Sequence, residues 1–535
     1  MFCLVLIITT TSSSSSSSCS ITFIKPKAPD GEVMELGMNR TVQFEFEIRD
    51  AESLHGDVIT IESELGVAGK IPIQVNKERR HVFQLSNLKL GTHYISANLP
   101  QCESSGKIPF DLIPSIEMTR ALRPQIGSVR SIPPYVSSNT KPIHVALVAS
   151  LSNDGQNHLM LQQLRGLSLS SKFRVTIMYS KHLQPQPRPL LPYLEEFRSF
   201  VNIETYDISA DSNFVESVGG IEKLTVMLER ANDLKELSSK ALEPLESMMK
   251  LFRDNVDIVS FVHVPENDVV NRFIVQAARL AGVKHILCEP GKWAKSEIWN
   301  RRGVTGIIAP SRVACVWWND SNHVPPCWPI SPGVAFVKKN VKKKSNEREK
   351  IIIAWIARIA PIKTPGLFVR FAERMIYHHH DVEFEFVMIG DGPIRNIVEG
   401  MVKDSNVSFR GWISKDDVVN TLTSGGIDLV VHTAFEETFG MSNLQVMMSG
   451  VPLVTVGTAG VLEYIPEGSC VPGVTVLDSF EPDAIVRTVE NVLLLGANDC
   501  IDDGVGDKGG DLSSFWSEGR VGREYVRLYE WLMRS

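Results

Sequence analysis

Apolar and polar residues alternate along the first part of the chain with the period of a half-buried strand. Thr41-Val42-Gln43-Phe44-Glu45-Phe46-Glu47-Ile48 and Tyr94-Ile95-Ser96-Ala97-Asn98-Leu99 both follow it. Further short strands are expected near Val58–Ile61, Ile71–Ile73 and His81–Leu85, punctuated by turns such as Asp30-Gly31 and Gly56-Asp57. No helix-length pattern interrupts them, which predicts a small immunoglobulin-like β-sandwich over residues 21–114. Residues 115–140, with several Pro and Ser, read as a linker.

The pattern then changes to continuous apolar runs separated by helical stretches. Ile143-His144-Val145-Ala146-Leu147-Val148 has the composition of a parallel strand buried on both faces. A helix around His158–Leu167 follows, then strands at Arg174–Met178, Val256–Val262, His285–Leu287 and Gly306–Ala309, with a helix over Val269–Ala281. These form a doubly wound α/β domain over 141–335. Residues 336–350 are strongly basic and read as a solvated connection. A second α/β domain over 351–512 opens with Ile351-Ile352-Ile353-Ala354-Trp355 and continues with strands Phe384–Ile389, Val407–Arg410, Ile427–Thr433 and Leu453–Val456. The Gly- and Asp-rich run Gly496–Asp511 is read as a loop, and residues 513–535 hold an amphipathic helix, Phe515–Leu532. Two such domains facing each other leave a cleft, and open parallel sheets bind ligands at their carboxyl edges.

Composition narrows the function classes. Among 535 residues Lys and Arg total 55 and Asp and Glu 62, a net charge of −7, which argues against nucleic acid as the partner. The eight cysteines show no Cys-x-x-Cys spacing and read as buried free thiols. Residues 1–20 are an apolar octet followed by a Ser/Thr tract, which fits a signal-like or a disordered segment. The compartment stays open on that basis, with the cytoplasm slightly favoured. Three glycosylation sequons, at Asn39, Asn319 and Asn406, are near the number that chance supplies.

The candidate chemistry collects at strand ends of the second α/β domain. The strand Ile427–Thr433 runs into Ala434-Phe435-Glu436-Glu437-Thr438-Phe439-Gly440, where a helix begins at once. Gly440 allows close backbone approach, and the unpaired amides of a helix start suit a diphosphate or a sugar oxygen. After the domain's first strand, Arg358 and Lys363 place a guanidinium fork and an ammonium on the same sheet edge. Val387-Met388-Ile389-Gly390-Asp391-Gly392-Pro393 ends a third strand there in a tight turn. His378-His379-His380, with no acidic cluster in the sequence beside it, is read as a solvated turn.

This set resembles glycosyltransferase family 4, the retaining enzymes of GT-B fold. The likeness rests on Ala357-Arg358-Ile359 with Lys363, Ile389-Gly390-Asp391-Gly392-Pro393, Val407-Ser408-Phe409-Arg410-Gly411-Trp412, Glu437-Thr438-Phe439-Gly440, Met448-Ser449-Gly450-Val451-Pro452 and Thr458-Ala459-Gly460-Val461-Leu462-Glu463. The resemblance implies two Rossmann-like domains, the first on the acceptor side and the second binding the donor. It also implies that the last helix crosses back onto the first. The donor would be a nucleoside diphosphate sugar, with no cofactor and no metal. Arg358 and Lys363 would hold the diphosphate and Glu437 the sugar hydroxyls. The backbone at Phe439, Gly440 and Met441 and the turn at Gly390 and Gly392 would contact the donor. Arg410 and Trp412 would wall the base, and His263 would approach the donor sugar. The acceptor would be a glycan, a lipid or a protein-linked group, and peripheral membrane association stays open.

Four departures from the family pattern stand out. Gln445 replaces the second acidic residue, eight positions after Glu437, where a ribose would be held. Asn153-Asp154-Gly155-Gln156 replaces a Gly-Gly turn, Cys288-Glu289-Pro290-Gly291 stands where a His is common, and Met447 and Met448 replace small residues. They leave two alternatives beside a transferase: a degenerate protein that binds a sugar nucleotide or glycan without turnover, and a nucleotide-sugar epimerase.

Overall fold

The computed structural model describes segments of residues 19–114 and 141–334, nearly all of 350–494, and 516–534. Several sequence-level expectations lie outside the described residues: the Ser-rich segment to residue 18, the 115–140 linker, Asn153-Asp154, His263, Pro290-Gly291, the basic stretch 335–349 and the loop 495–515. The chain divides into two compact units, one comprising residues 1–123 and 337–508, the other 124–336 and 509–535.

The first unit begins with strands β1 (Cys19–Lys25), β2 (Glu32–Leu36), β3 (Thr41–Arg49), β4 (Val58–Ser63), β5 (Gly66–Pro72), β6 (Arg80–Ser86), β7 (Gly91–Asn98), β8 (Cys102–Glu103) and β9 (Ile108–Pro114). They form a four-stranded sheet, β6-β3-β1-β8, and a five-stranded sheet, β2-β9-β7-β4-β5. Inward residues from both sheets meet, as where Phe44 stands edge-on to Phe110 with centroids 5.4 Å apart.

The second unit is a seven-stranded parallel sheet. Its strands are β10 (Ile143–Val148), β11 (Phe173–Ser180), β12 (Val201–Tyr206), β13 (Ile258–Phe261), β14 (His285–Cys288), β15 (Gly306–Ala309) and β16 (Cys327–Pro329), in the order β12-β11-β10-β13-β14-β15-β16. All of β10 is buried, as its apolar run requires. Helices α1 (Gly155–Ser168), α2 (Ser239–Phe252), α3 (Asp268–Leu280) and α4 (Arg312–Asn319) connect the strands.

One expectation is corrected here. The cysteines are not all free thiols: Cys315 at the inner face of α4 is disulfide-bonded to Cys327 on β16, with Cα atoms 5.6 Å apart. Twelve residues separate the pair in sequence, and only the return of the chain to the next parallel strand brings them together. Cys288 is a buried free thiol.

The remaining elements of the first unit are β17 (Lys350–Ile356), α5 (Pro365–His378), β18 (Glu383–Ile389), α6 (Arg395–Met401), β19 (Val407–Gly411), α7 (Lys415–Thr423), β20 (Leu429–His432), α8 (Met441–Ser449), β21 (Leu453–Val456), β22 (Val474–Leu477) and α9 (Pro482–Leu494). Their parallel sheet runs β19-β18-β17-β20-β21-β22, so the winding reverses between β17 and β20. The segments leaving those two strands therefore diverge over a crevice at the carboxyl edge. The sandwich packs directly on this domain, since Ile95, Phe110 and Leu112 share one buried core with Leu367, Phe368 and Phe371 of α5.

Helix α10 (Glu518–Leu532) belongs to the second unit and lies on α1. A methyl group on Gly522 would fall 2.4 Å from the Cα of Gly166, so the two glycines let the helices cross nearly in contact. Gln162 clamps the backbone of Gly333 in both directions, at 2.7 and 2.9 Å, and Lys172 pairs with Glu530 at 2.9 Å. No helix among the described residues is long and apolar enough to cross a membrane.

Candidate functional site

The segment after β17 turns sharply and carries two cations. A 3₁₀ turn, Pro361–Lys363, precedes Thr364, whose φ of 47° is left-handed for a β-branched residue and costs about 1–2 kcal/mol. The cost is held in place by neighbours. The hydroxyl of Thr433, just past β20, donates to the Thr364 carbonyl at 2.9 Å and is fixed in turn by the Trp355 indole N–H at 3.0 Å. This clamp sets Lys363, whose Nζ donates to Glu437 Oε1 at 2.5 Å. The pair is largely withdrawn from water, with side-chain exposures of 18% and 8%. Arg358, earlier on the same segment, is exposed and makes no ion pair among the described residues.

Glu437 has a second neighbour that sequence reasoning missed. His432 ends β20 fully buried, with Nε2 3.5 Å from Glu437 Oε1 and no hydrogen-bond partner. On the other side of the ring, Asn443 Nδ2 lies 3.3 Å from Nδ1 and donates to Thr455 Oγ1 at 2.9 Å. With the amide donating, Nδ1 accepts and Nε2 carries the proton, aimed at Glu437. Burial, opposed by the Glu437 carboxylate and aided by the Lys363 charge, lowers the imidazole pKa to about 4, so the ring is neutral at pH 7. Isolated polar residues in an apolar strand and helix gave only a weak signal for this relay.

Backbone packing fixes the floor. Gly390 has a φ of 145°, and a methyl group there would sit 1.8 Å from the Ala357 carbonyl oxygen; at Gly392 it would meet the Ile359 carbonyl at 2.1 Å. The Gly390 N–H donates to Gly411 at 2.8 Å and the Ile359 N–H to Asp391 at 3.0 Å, which ties three strand ends together. Beside them Arg410 and Trp412 are exposed, Trp412 by 41%.

At the start of α8, Gly440 has a φ of 87°, and the Tyr464 hydroxyl donates to its carbonyl at 3.1 Å. Gly460 lets the Glu437–Phe439 segment pass: its N–H donates to the Glu437 carbonyl at 2.7 Å, and a methyl group would fall 2.3 Å from Thr438 backbone atoms. Phe439 is buried with its ring 5.4 Å from that of Tyr464, so only its backbone is offered to a ligand. Met441 and Gln445, one turn apart on α8, are both half-buried.

The arrangement is an anion-compatible crevice with a carboxylate and a buried neutral imidazole in it. Residues 337–501 match the family of Glycosyl transferases group 1. All the residues just described lie within that matched segment. The Phosphatidylinositol N-acetylglucosaminyltransferase GPI3 subunit of Saccharomyces cerevisiae is 28% identical over 128 residues, 23% of this chain and 27% of that protein. The Sulfoquinovosyl transferase SQD2 of Arabidopsis thaliana is 27% identical over 138 residues, 26% of each chain. The match thus spans about a quarter of these relatives' length. In fold, the chain is similar to a crystal structure of a glycosyltransferase from Rickettsia africae, with a TM-score of 0.51 and 13% identity over 74% of this chain and all of that one. The likeness is to the GT-B architecture, α/β domains on parallel sheets.

Two other sequence-level candidates fall elsewhere. The His378–His380 turn is partly engaged, with His379 Nε2 2.6 Å from Glu490. Among the described residues no group of three His, Cys, Asp or Glu side chains could hold a metal ion. Glu289, in the other unit, is buried facing Tyr525 and Ser260, and burial raises its pKa to about 8.

Proposed function

We propose that the chain is a retaining glycosyltransferase that moves a sugar from a nucleoside diphosphate sugar to a glycan, lipid or protein-linked acceptor. The observation that carries this reading is the Lys363–Glu437 pair at the winding reversal, beside a helix start opened by Gly440. An arriving diphosphate competes for the Lys363 ammonium, adds the Arg358 fork, and lies against the first amides of α8. That releases Glu437 to accept from sugar hydroxyls, with the neutral His432 ring 3.5 Å behind it. In transfer, the bond from the anomeric carbon to the diphosphate breaks while the acceptor oxygen bonds that carbon on the same face. The acceptor proton passes to the departing diphosphate. Charge developing on that leaving group meets cations and amides already in place.

Gln445 would take the ribose through a neutral amide, a loss of about 1 kcal/mol against a carboxylate. The same residue favours the second reading, a sugar-nucleotide binder without turnover. An epimerase is the third, and it would convert the donor with no acceptor present. The phosphatidylinositol in one relative's name makes a lipid acceptor the first to try. The amino-terminal two-sheet domain is read as an immunoglobulin-like sandwich.

The test is a thermal-shift panel of UDP-, GDP-, ADP- and dTDP-sugars, followed by turnover with and without acceptors. Stabilisation with transfer, or with slow donor hydrolysis, supports the transferase. Stabilisation with the donor left unchanged identifies the binder, and conversion of the donor sugar without acceptor identifies the epimerase. No stabilisation by any donor would refute the sugar-nucleotide reading.

A further inference from the structure

The amino-terminal sandwich reaches the donor site from behind. Helix α5 lacks a cap of its own: Thr364 stands at the N-cap, yet its side chain makes no capping bond and its Oγ1 has no partner. Pro365 has no N–H, so the first amide that needs an acceptor is that of Gly366. Thr92 of β7 supplies it, its Oγ1 accepting from the Gly366 N–H at 2.9 Å across 274 residues of chain. The same hydroxyl donates to Asp111 Oδ1 on β9 at 2.6 Å, and Asp111 Oδ2 accepts from Arg370 Nε at 2.7 Å. Thr92 and Asp111 are both fully buried.

The contact is built for close approach. Gly91, with a φ of 140°, lies so near the 3₁₀ turn that a methyl group would sit 2.2 Å from the Pro361 carbonyl oxygen. A methyl group on Gly366 would meet Asp111 Oδ1 at 2.5 Å. The segment from Pro361 to Gly366 is thus held at Pro361 by Gly91, at Thr364 by Thr433 and at Gly366 by Thr92.

We propose that Thr92 and Asp111 are positioning residues for Lys363: the sandwich caps α5 in trans and so fixes the ammonium where a donor diphosphate is bound. The proposal rests on the reading of the site given under Proposed function. It assigns the sandwich a part in donor binding, through the loop rather than through contact with the sugar nucleotide. Asp111, beside the positive end of α5 and paired with Arg370, adds electrostatic support to the cap.

The test uses the full chain with Thr92→Val, which keeps shape and removes the hydroxyl, and Thr92→Ser, which restores it. Binding of UDP, GDP, ADP and dTDP and of their monophosphates is measured by calorimetry on the parent and both variants. The expected result for Thr92→Val is an affinity about tenfold weaker for the diphosphate, the size of one lost charged hydrogen bond. The monophosphate should bind as before, because the proposal puts Lys363 on the terminal phosphate, which a monophosphate lacks. Thr92→Ser should match the parent for both ligands. Equal losses for mono- and diphosphate, no loss, or Thr92→Ser behaving as Thr92→Val would overturn the proposal. If no nucleotide binds the parent, the donor reading itself fails. The brace is then judged by hydrogen exchange at residues 363–367: faster exchange in Thr92→Val than in Thr92→Ser supports it, and equal exchange overturns it.

Discussion

Replacing Lys363 by Met leaves Glu437 as a carboxylate with 8% exposure and no hydrogen-bonding cation. Its next nitrogen is His432 Nε2 at 3.5 Å, in a neutral ring. Breaking a buried pair by removing one partner costs about 3–5 kcal/mol. The 18% exposure of Lys363 admits some water to the gap, which places the loss near about 3 kcal/mol. For a large domain each kcal/mol moves the melting temperature by roughly 2–4 °C, so the unit should melt about 6 °C lower or more. The double variant Lys363→Met/Glu437→Gln removes both charges and should recover most of that loss, a coupling of about 2 kcal/mol. Thermal melts followed by calorimetry read the stability, and diphosphate titration reads the site. Both variants should bind a nucleoside diphosphate about tenfold to a hundredfold more weakly, since a charged hydrogen bond contributes about 1.5–3 kcal/mol. A Lys363→Met melt indistinguishable from the parent, or a double variant no more stable than the single, would show that the pair is a solvated contact.

Three further outcomes are expected. His432 has a folded pKa of about 4 against an ordinary 6.5, so between those values the unfolded chain takes up a proton that the folded one refuses. Stability should fall by up to about 3 kcal/mol as pH drops through that window, and His432→Gln should flatten the fall in urea midpoints measured at pH 7 and pH 4.5. Glu289 has the opposite sign: with a pKa of about 8, its contribution is fully present below 4.5 and is lost as pH rises through 8. Glu289→Gln should therefore raise the melting temperature more at pH 8 than at pH 5. Gly460→Ala forces a methyl group to 2.3 Å from the Thr438 backbone and should cost about 1–3 kcal/mol and displace Glu437, read as a lower melt and weaker nucleotide binding.

Much of the parallel-sheet architecture was legible because its strands are long apolar runs. Ile351–Trp355 and Leu453–Val456 lie within β17 and β21, and the alternating Thr41–Ile48 lies within β3. The glycines at 390, 392 and 440 were legible as turn and helix-start residues, and the structure gives each a backbone or hydroxyl neighbour too close for a side chain. What escaped notice was pairing across distance. The Lys363–Glu437 bond spans 74 residues, and His432 stood in an apolar strand with nothing in its neighbourhood to single it out. The Cys315–Cys327 bond escaped because no recognised spacing marks it.

The sequence by itself determined which stretches become strand or helix and which strand ends carry charge, because periodicity and chain punctuation are local properties. Tertiary structure alone decided that Lys363 faces Glu437, that a neutral histidine backs that carboxylate, and that Thr92 caps a helix 274 residues away. Those contacts depend on the order of strands in the sheet and on which domain the sandwich packs against. Both are set by long-range burial of apolar surface, which no window of sequence contains.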